Sequence, residues 1–201
     1  MHYIFETEHQ FRYLCEYLAN KNSHYGSRFN YASCELWLCQ EACQIINFGD
    51  RNYHLNPEIP FFCYNEDKKR DLSFYTIDDK GEPKLISHIE VKLIYPTSIS
   101  DKTSKIKELV DKLMNAKNAN SIKSGWIFLI WTNNYKEDCE KFFTDTSTLI
   151  DSVQASNEIS INEHDGLKLL NVIDITIQWR GVDKRIVVKA LSFTPLITLT
   201  V

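Results

Sequence analysis

Residues 88–95 read HIEVKLIY, and within this apolar run His88, Glu90 and Lys92 fall on alternate positions. Side chains along a strand alternate between its two faces, so these three share one face while Ile89, Val91 and Leu93 share the other. Acid-x-Lys triplets also begin at Glu66, Asp67, Asp78 and Glu82, but those lie in polar runs or turns, where a solvated surface accounts for them. Only Glu90 and Lys92 sit inside an apolar strand. An acid and a base at that spacing, aimed at the same side, are the parts of a site that holds a cation and handles a proton.

A partner for Glu90 comes from upstream. DLSFYTID (71–78) and KLISHIEVKLIY (84–95) are rich in β-branched and aromatic residues and are joined by the turn-like DKGEP, which predicts a hairpin. A two-residue turn at Lys80-Gly81 places Asp71 directly opposite Glu90. A three-residue turn places it opposite Ile89, and a bulge is then needed to restore the pairing. Directly opposed side chains have Cβ atoms about 5 Å apart, where two carboxylates repel unless a proton or cation lies between them. A hard divalent cation, Mg²⁺ or Mn²⁺, suits such a pair, because it takes carboxylate and carbonyl oxygens and keeps waters that can meet a phosphate. Lys92 would lie beside that water, able to orient or deprotonate it and to stabilise charge on the phosphorus oxygens. The chemistry that fits is metal-assisted phosphodiester hydrolysis. The competing reading is an exposed hairpin face with a cross-strand salt bridge worth about 0.2–1 kcal/mol.

These residues need a frame. Residues 6–20 carry Phe11, Leu14, Cys15 and Leu18 at helical spacing, and residues 31–47 carry Cys34, Leu38, Ala42 and Ile45, with Gly49 as a stop. IPFFCY (59–64) reads as a short strand ahead of the hairpin. After the hairpin, SDKTSKIKELVDKLMNAKNAN (100–120) places Ile106, Leu109, Val110, Leu113 and Met114 on one helical face and lysines on the other. WIFLIWT (126–132) is a continuous apolar run, as expected of a strand buried on both faces, with Trp126 and Trp131 in the core. Residues 135–150 read as a helix, and 172–179 and 185–193 as a second hairpin around RGVD. The class is α/β with a mixed sheet.

With Asp71 in KRDLSFY and Glu90-Val91-Lys92 in SHIEVKLIY, residues 31–132 resemble the PD-(D/E)XK nuclease superfamily. The resemblance implies a restriction-endonuclease-like αβββαβ core of mixed sheet flanked by helices, preceded by an N-terminal helix and followed by an α/β extension (133–201), all in a single domain (1–201). It implies Asp71 and Glu90 as metal ligands with the Val91 carbonyl as a further one, and Lys92 as the catalytic lysine. The first core helix often adds an acid, and Glu35 in ASCELWL matches that position, with Glu41 as the alternate. The proline that often precedes the motif aspartate is replaced by Arg70. The activity implied is Mg²⁺-dependent DNA cleavage of the type II restriction kind, by a homodimer or with a partner subunit. A repair, recombination or defence nuclease, or a non-catalytic binding protein of the same fold, are the alternatives.

The whole chain bounds this reading. Its 201 residues are 43% hydrophobic and 25% charged, the balance of an ordinary globular domain. A net charge of −4 supplies no global attraction to nucleic acid, so DNA contact would need a local basic surface. Lys102, Lys105 and Lys107 could grip a backbone, and His88 could reach phosphate, although a half-exposed strand histidine is more often only solvated. Tyr95 and Tyr135 at strand ends could stack on bases. Six cysteines without a CxxC pair read as reduced, buried thiols, and the acidic MHYIFETEHQ and the lack of a long apolar run read as cytosolic, with no membrane partner.

Overall fold

The computed structural model describes residues 6–30, 34–49, 61–67, 70–115, 121–156 and 169–194. In it the apolar periodicities resolve into helices α1 (Thr7–Asn20), α2 (Asn22–Tyr25), α3 (Glu35–Phe48), α4 (Ile99–Asn115) and α5 (Cys139–Ser156). The strands are β1 (Phe61–Asp67), β2 (Arg70–Ile77), β3 (Pro83–Ile94), β4 (Ile122–Thr132), β5 (Leu170–Trp179) and β6 (Val182–Phe193). They form one sheet in the order β1-β2-β3-β4-β6-β5. β3 and β4 run parallel, and the other neighbours are antiparallel. This is the mixed α/β class expected. The C-terminal third supplies β6, which lies beside β4, so its two strands belong to the same sheet. The expected helix start at 31–33, strand start at 59–60 and helix end at 116–120 lie outside the described residues.

The sheet separates two apolar layers. On one side α1 and α3 cover Leu72, Phe74, Ile89, Val91 and Leu93, with Phe11 set against Trp126 and Phe128 at ring distances of 5.5 and 6.2 Å. On the other, Ile106, Leu109, Val110 and Leu113 of α4 and Phe142 and Phe143 of α5 cover Ile94, Ile127, Leu129 and Trp131. Met114, expected in the α4 stripe, is instead 47% exposed. Every residue of β4 after Ile122 is buried, which explains its unbroken apolar sequence.

The first hairpin takes the three-residue alternative with its bulge, and the second is tighter than the RGVD loop expected. The β2–β3 loop has three residues, Asp79 to Gly81. It is closed by Asp78 N–H to the Glu82 carbonyl at 2.9 Å and has Gly81 at φ +82°. Asp78 Oδ1 braces it by accepting from the Lys80 and Glu82 N–H groups, each at 2.9 Å. Near the turn Tyr75 faces Leu85, but a bulge then takes up Ile86, so that Phe74 faces Ser87 and Leu72 faces Ile89. The bulge thus restores the register that a two-residue turn would have set. In the second hairpin the turn is only Arg180-Gly181, at φ 52° and 77°, the two positive values of a type I′ turn, and Val182 and Asp183 already belong to β6.

Gly125 faces Glu90 across the parallel β3–β4 pair. A Cβ there would meet the Phe193 ring at 2.5 Å and Leu113 at 3.2 Å. The absent side chain lets Phe193 lie over the strand beside Glu90. Gly125→Ala is therefore expected to destabilise the fold by about 1–3 kcal/mol through overpacking, measured by urea unfolding.

Candidate active site

The β2–β3 ladder ends at Leu72↔Ile89. Beyond it, β3 N–H groups that a longer β2 would have paired are taken by side chains. Val91 N–H donates to Asp71 Oδ2 at 2.7 Å, and Leu93 N–H donates to Glu35 Oε2 at 3.3 Å. Two carboxylates, one from the start of β2 and one from the first turn of α3, thus satisfy backbone donors that would be costly to leave unpaired.

One register step past Leu72↔Ile89, Asp71 stands across from Glu90 on the face opposite Leu72 and Phe74. Glu90 is only 2% exposed. His88 Nε2 donates to its Oε1 at 2.5 Å, and Lys112 Nζ of α4 donates to its Oε2 at 3.1 Å. Burial pushes the Glu90 carboxyl up, but the His88 and Lys112 contacts outweigh it and hold it below the usual range. Asp71 has no such neutralisation: burial first, then the Glu90 charge, raise it to about 6. Burial works to lower Lys112, but the facing Glu90 and Asp71 carboxylates hold it above the usual lysine range.

Lys92 stands next along this face, its Nζ 3.8 Å from Glu35 Oε1 and 3.9 Å from Glu108 Oε1. It borders a cleft of about 260 Å³ whose lining includes Glu35, Tyr95, Thr97, Lys105 and Tyr135. Glu41 points elsewhere, accepting from Tyr25 Oη at 2.8 Å, so Glu35 is the α3 acid that meets the strand. Cys39 lies nearby on α3; burial and the Asp71 and Glu35 charges push its thiol well up, so it stays a neutral packing group.

The structure therefore brings Asp71, Glu90, Lys92 and Glu35 together around Val91. It corrects three other expectations. His88 is 5% exposed and is spent on Glu90, so it is neither solvated nor placed to meet DNA. Lys102 does not belong to the outer face of α4: it is buried, 3.7 Å from Glu137 Oε2 and over the Phe142 ring. Tyr95 is buried and its hydroxyl contacts Cys34 Sγ at 3.2 Å, which leaves it no face for a base. Lys107 is exposed, and Lys105 pairs with Asp101 at 3.6 Å. Sequence reasoning missed Lys112; its signal was its place three residues after Leu109, flanking the buried stripe of α4 rather than opposite it.

Among the described residues no three His, Cys, Asp or Glu side chains are grouped to hold an ion by themselves. A cation here would rest on Asp71, Glu90, the Val91 carbonyl and water, the few-carboxylate, water-rich shell that Mg²⁺ favours. The donor set fits such an ion: burial and the Glu90 charge raise Asp71, and the Lys112 ammonium lies 3.1 Å from Glu90, so this corner of the site already draws positive charge. No family model, no curated protein and no solved structure matches the chain. No helix among the described residues is long and apolar enough to cross a membrane.

Two stability measurements follow. A folded-state pKa near 6 for Asp71 means that its ionisation costs stability, fully above about pH 6 and not at all below about pH 4. In EDTA, Asp71→Asn should therefore raise the unfolding midpoint at pH 7.5, and the gain should fade between pH 6 and pH 4. Glu90 has the opposite sign, its stabilisation being present at neutral pH and lost as pH falls through its depressed pKa. Lys112→Met should cost about 1 kcal/mol at pH 7, a hydrogen bond to a charged group discounted for the half-exposed lysine, and progressively less as pH falls through the depressed Glu90 pKa.

Proposed function

We propose that this chain is a divalent-metal-dependent nuclease of the PD-(D/E)XK kind, cutting DNA phosphodiester bonds in the manner of a restriction endonuclease. The observation that carries the reading is the convergence of Asp71, Glu90 and Lys92 at the point where β2 parts from β3, with Glu35 of α3 beside Lys92. The element order α3-β1-β2-β3-α4-β4 supports it, being the order of that superfamily's core.

In this reading Asp71 and Glu90 hold Mg²⁺ or Mn²⁺. When bound, the cation supplies Lewis acidity toward a phosphate oxygen and lowers the pKa of a water. The rest is work for the chain. His88 and Lys112 fix the Glu90 carboxylate, as outer partners of a ligand do, and an ion held by Glu90 would compete with Lys112 for that carboxylate. The Val91 N–H orients Asp71. Lys92, at the edge of the cleft it shares with Glu35 and Tyr135, would bring its ammonium to the attacking water and to the charge growing on phosphorus oxygens. Glu35 steadies Lys92 from the far side. One such site cuts one strand, so a two-fold DNA target calls for two copies of the chain or a partner subunit.

A second reading, a binding protein of the same fold, is favoured by one feature: both Glu90 oxygens already have hydrogen-bond partners within the protein, His88 and Lys112. Plasmid cleavage separates the two. The nuclease reading expects nicking or linearisation with Mg²⁺, none with EDTA, and a loss of about 10²–10⁴-fold in Lys92→Ala. Cleavage that survives both EDTA and that substitution, or no cleavage of either plasmid or single-stranded circular DNA by the wild-type chain with either metal, would overturn it.

A further inference from the structure

The face of the sheet that carries Asp71 and Glu90 continues onto β1 and β2 as a cluster of aromatic rings. Phe62 pairs with Tyr75, and Tyr64 with Ser73, which in turn faces His88. These residues alternate with Cys63, Leu72 and Phe74, which are buried toward α1 and α3. The Phe62 and Tyr75 rings lie nearly parallel, at 12° and 6.1 Å. Tyr64 meets both edge-on, at 5.5 and 5.9 Å, and remains 53% exposed. Arg70 Nη1 donates to Tyr75 Oη at 3.5 Å, so a guanidinium borders the rings.

Cross-strand aromatic pairing stabilises a hairpin edge and accounts for the contact of Phe62 with Tyr75. It does not call for a third ring left half in water near one buried and one half-buried carboxylate. By strand geometry Tyr64 is two residues along and one strand across from Asp71, roughly 9 Å away. Aromatic rings with an adjacent cation are what unpaired nucleotides bind: bases stack on the rings without regard to sequence, and the cation meets the backbone. In a duplex the base faces are already covered by their neighbours.

We propose that Phe62, Tyr64 and Tyr75, with Arg70, form a stacking platform for unpaired nucleotides, so that the strand offered to Asp71 and Glu90 is single-stranded next to the scissile phosphate. The proposal rests on the metal-dependent nuclease reading and replaces its two-fold duplex target with single-stranded, branched or frayed DNA.

Fluorescence anisotropy in EDTA tests it, with the full chain, a fluorescein-labelled single-stranded oligonucleotide and its duplex. The wild-type chain should prefer the single strand. Tyr64→Ala should weaken single-strand binding by about tenfold while leaving duplex binding unchanged, and Tyr64→Trp should retain it. Circular dichroism and thermal unfolding check that both variants fold. Unchanged single-strand affinity in a folded Tyr64→Ala, an equal loss for both DNAs, or conversion of a dimer to a monomer in light scattering would overturn the platform; the last assigns the rings to a second copy. Metal-dependent plasmid cleavage by a chain whose Tyr64→Ala variant binds normally would sink the platform and leave the nuclease reading standing. Selective loss of single-strand binding without any cleavage would do the reverse.

Discussion

β2 leaves β3 after Leu72↔Ile89, and the candidate site depends on how the strand it abandons is satisfied. A central strand cannot end its pairing for nothing, because each buried N–H left without an acceptor costs about as much as a lost hydrogen bond. Here Asp71 and Glu35 supply the acceptors, at Val91 and Leu93. Those two hydrogen bonds fix where the carboxylates point. The same departure that opens a gap in the sheet therefore arms it, and Glu90 and Lys92 enter the gap from β3 because the pleat turns them to that side.

Gathering acids in a buried place raises their cost, and the structure offsets this unevenly. Glu90 has a partner on each oxygen, one from its own strand and one from α4. Burial and the repulsion of Glu90 raise Asp71 to about 6, outweighing its backbone donor and the Lys112 charge. An arrangement selected only for stability would have neutralised both or replaced both with apolar groups, since half-satisfied buried charge is the least favourable choice. Perturbed carboxylates cluster at functional sites, and this imbalance is one support for the function proposed above.

The sequence made the frame legible wherever one periodicity sufficed: the stripe of α1, the continuous run of β4, and the alternation of β3. The facing of Asp71 and Glu90 was legible too, by a route that differs from the real one. Lys80-Gly81 is not the whole turn; Asp79 belongs to it, and the bulge at Ile86 corrects the register. A bulge depends on how two strands twist against their neighbours, which no single strand's composition records. The environment of His88 and Lys102 was hidden for another reason. Their polarity suggests solvent, but burial is decided by the element that packs over them, and a long side chain can be covered along its stem while its charge finds a partner.

That covering element follows from the one parallel pair. Antiparallel strands can be joined by a tight turn, but β3 and β4 run the same way, so the chain must cross over the sheet between them. The crossover is α4, and its only available route lies across a face of β3 and β4. It takes the side bearing His88, Glu90 and Lys92, packing Leu109, Val110 and Leu113 on Ile127 and Leu129 and laying Lys112 and Glu108 beside the charged row. The polar face of HIEVKLIY was thus never going to be an outer surface. Once β3 and β4 are parallel, its charges must be held inside the protein, and side chains held inside can be aimed far more narrowly than side chains in water.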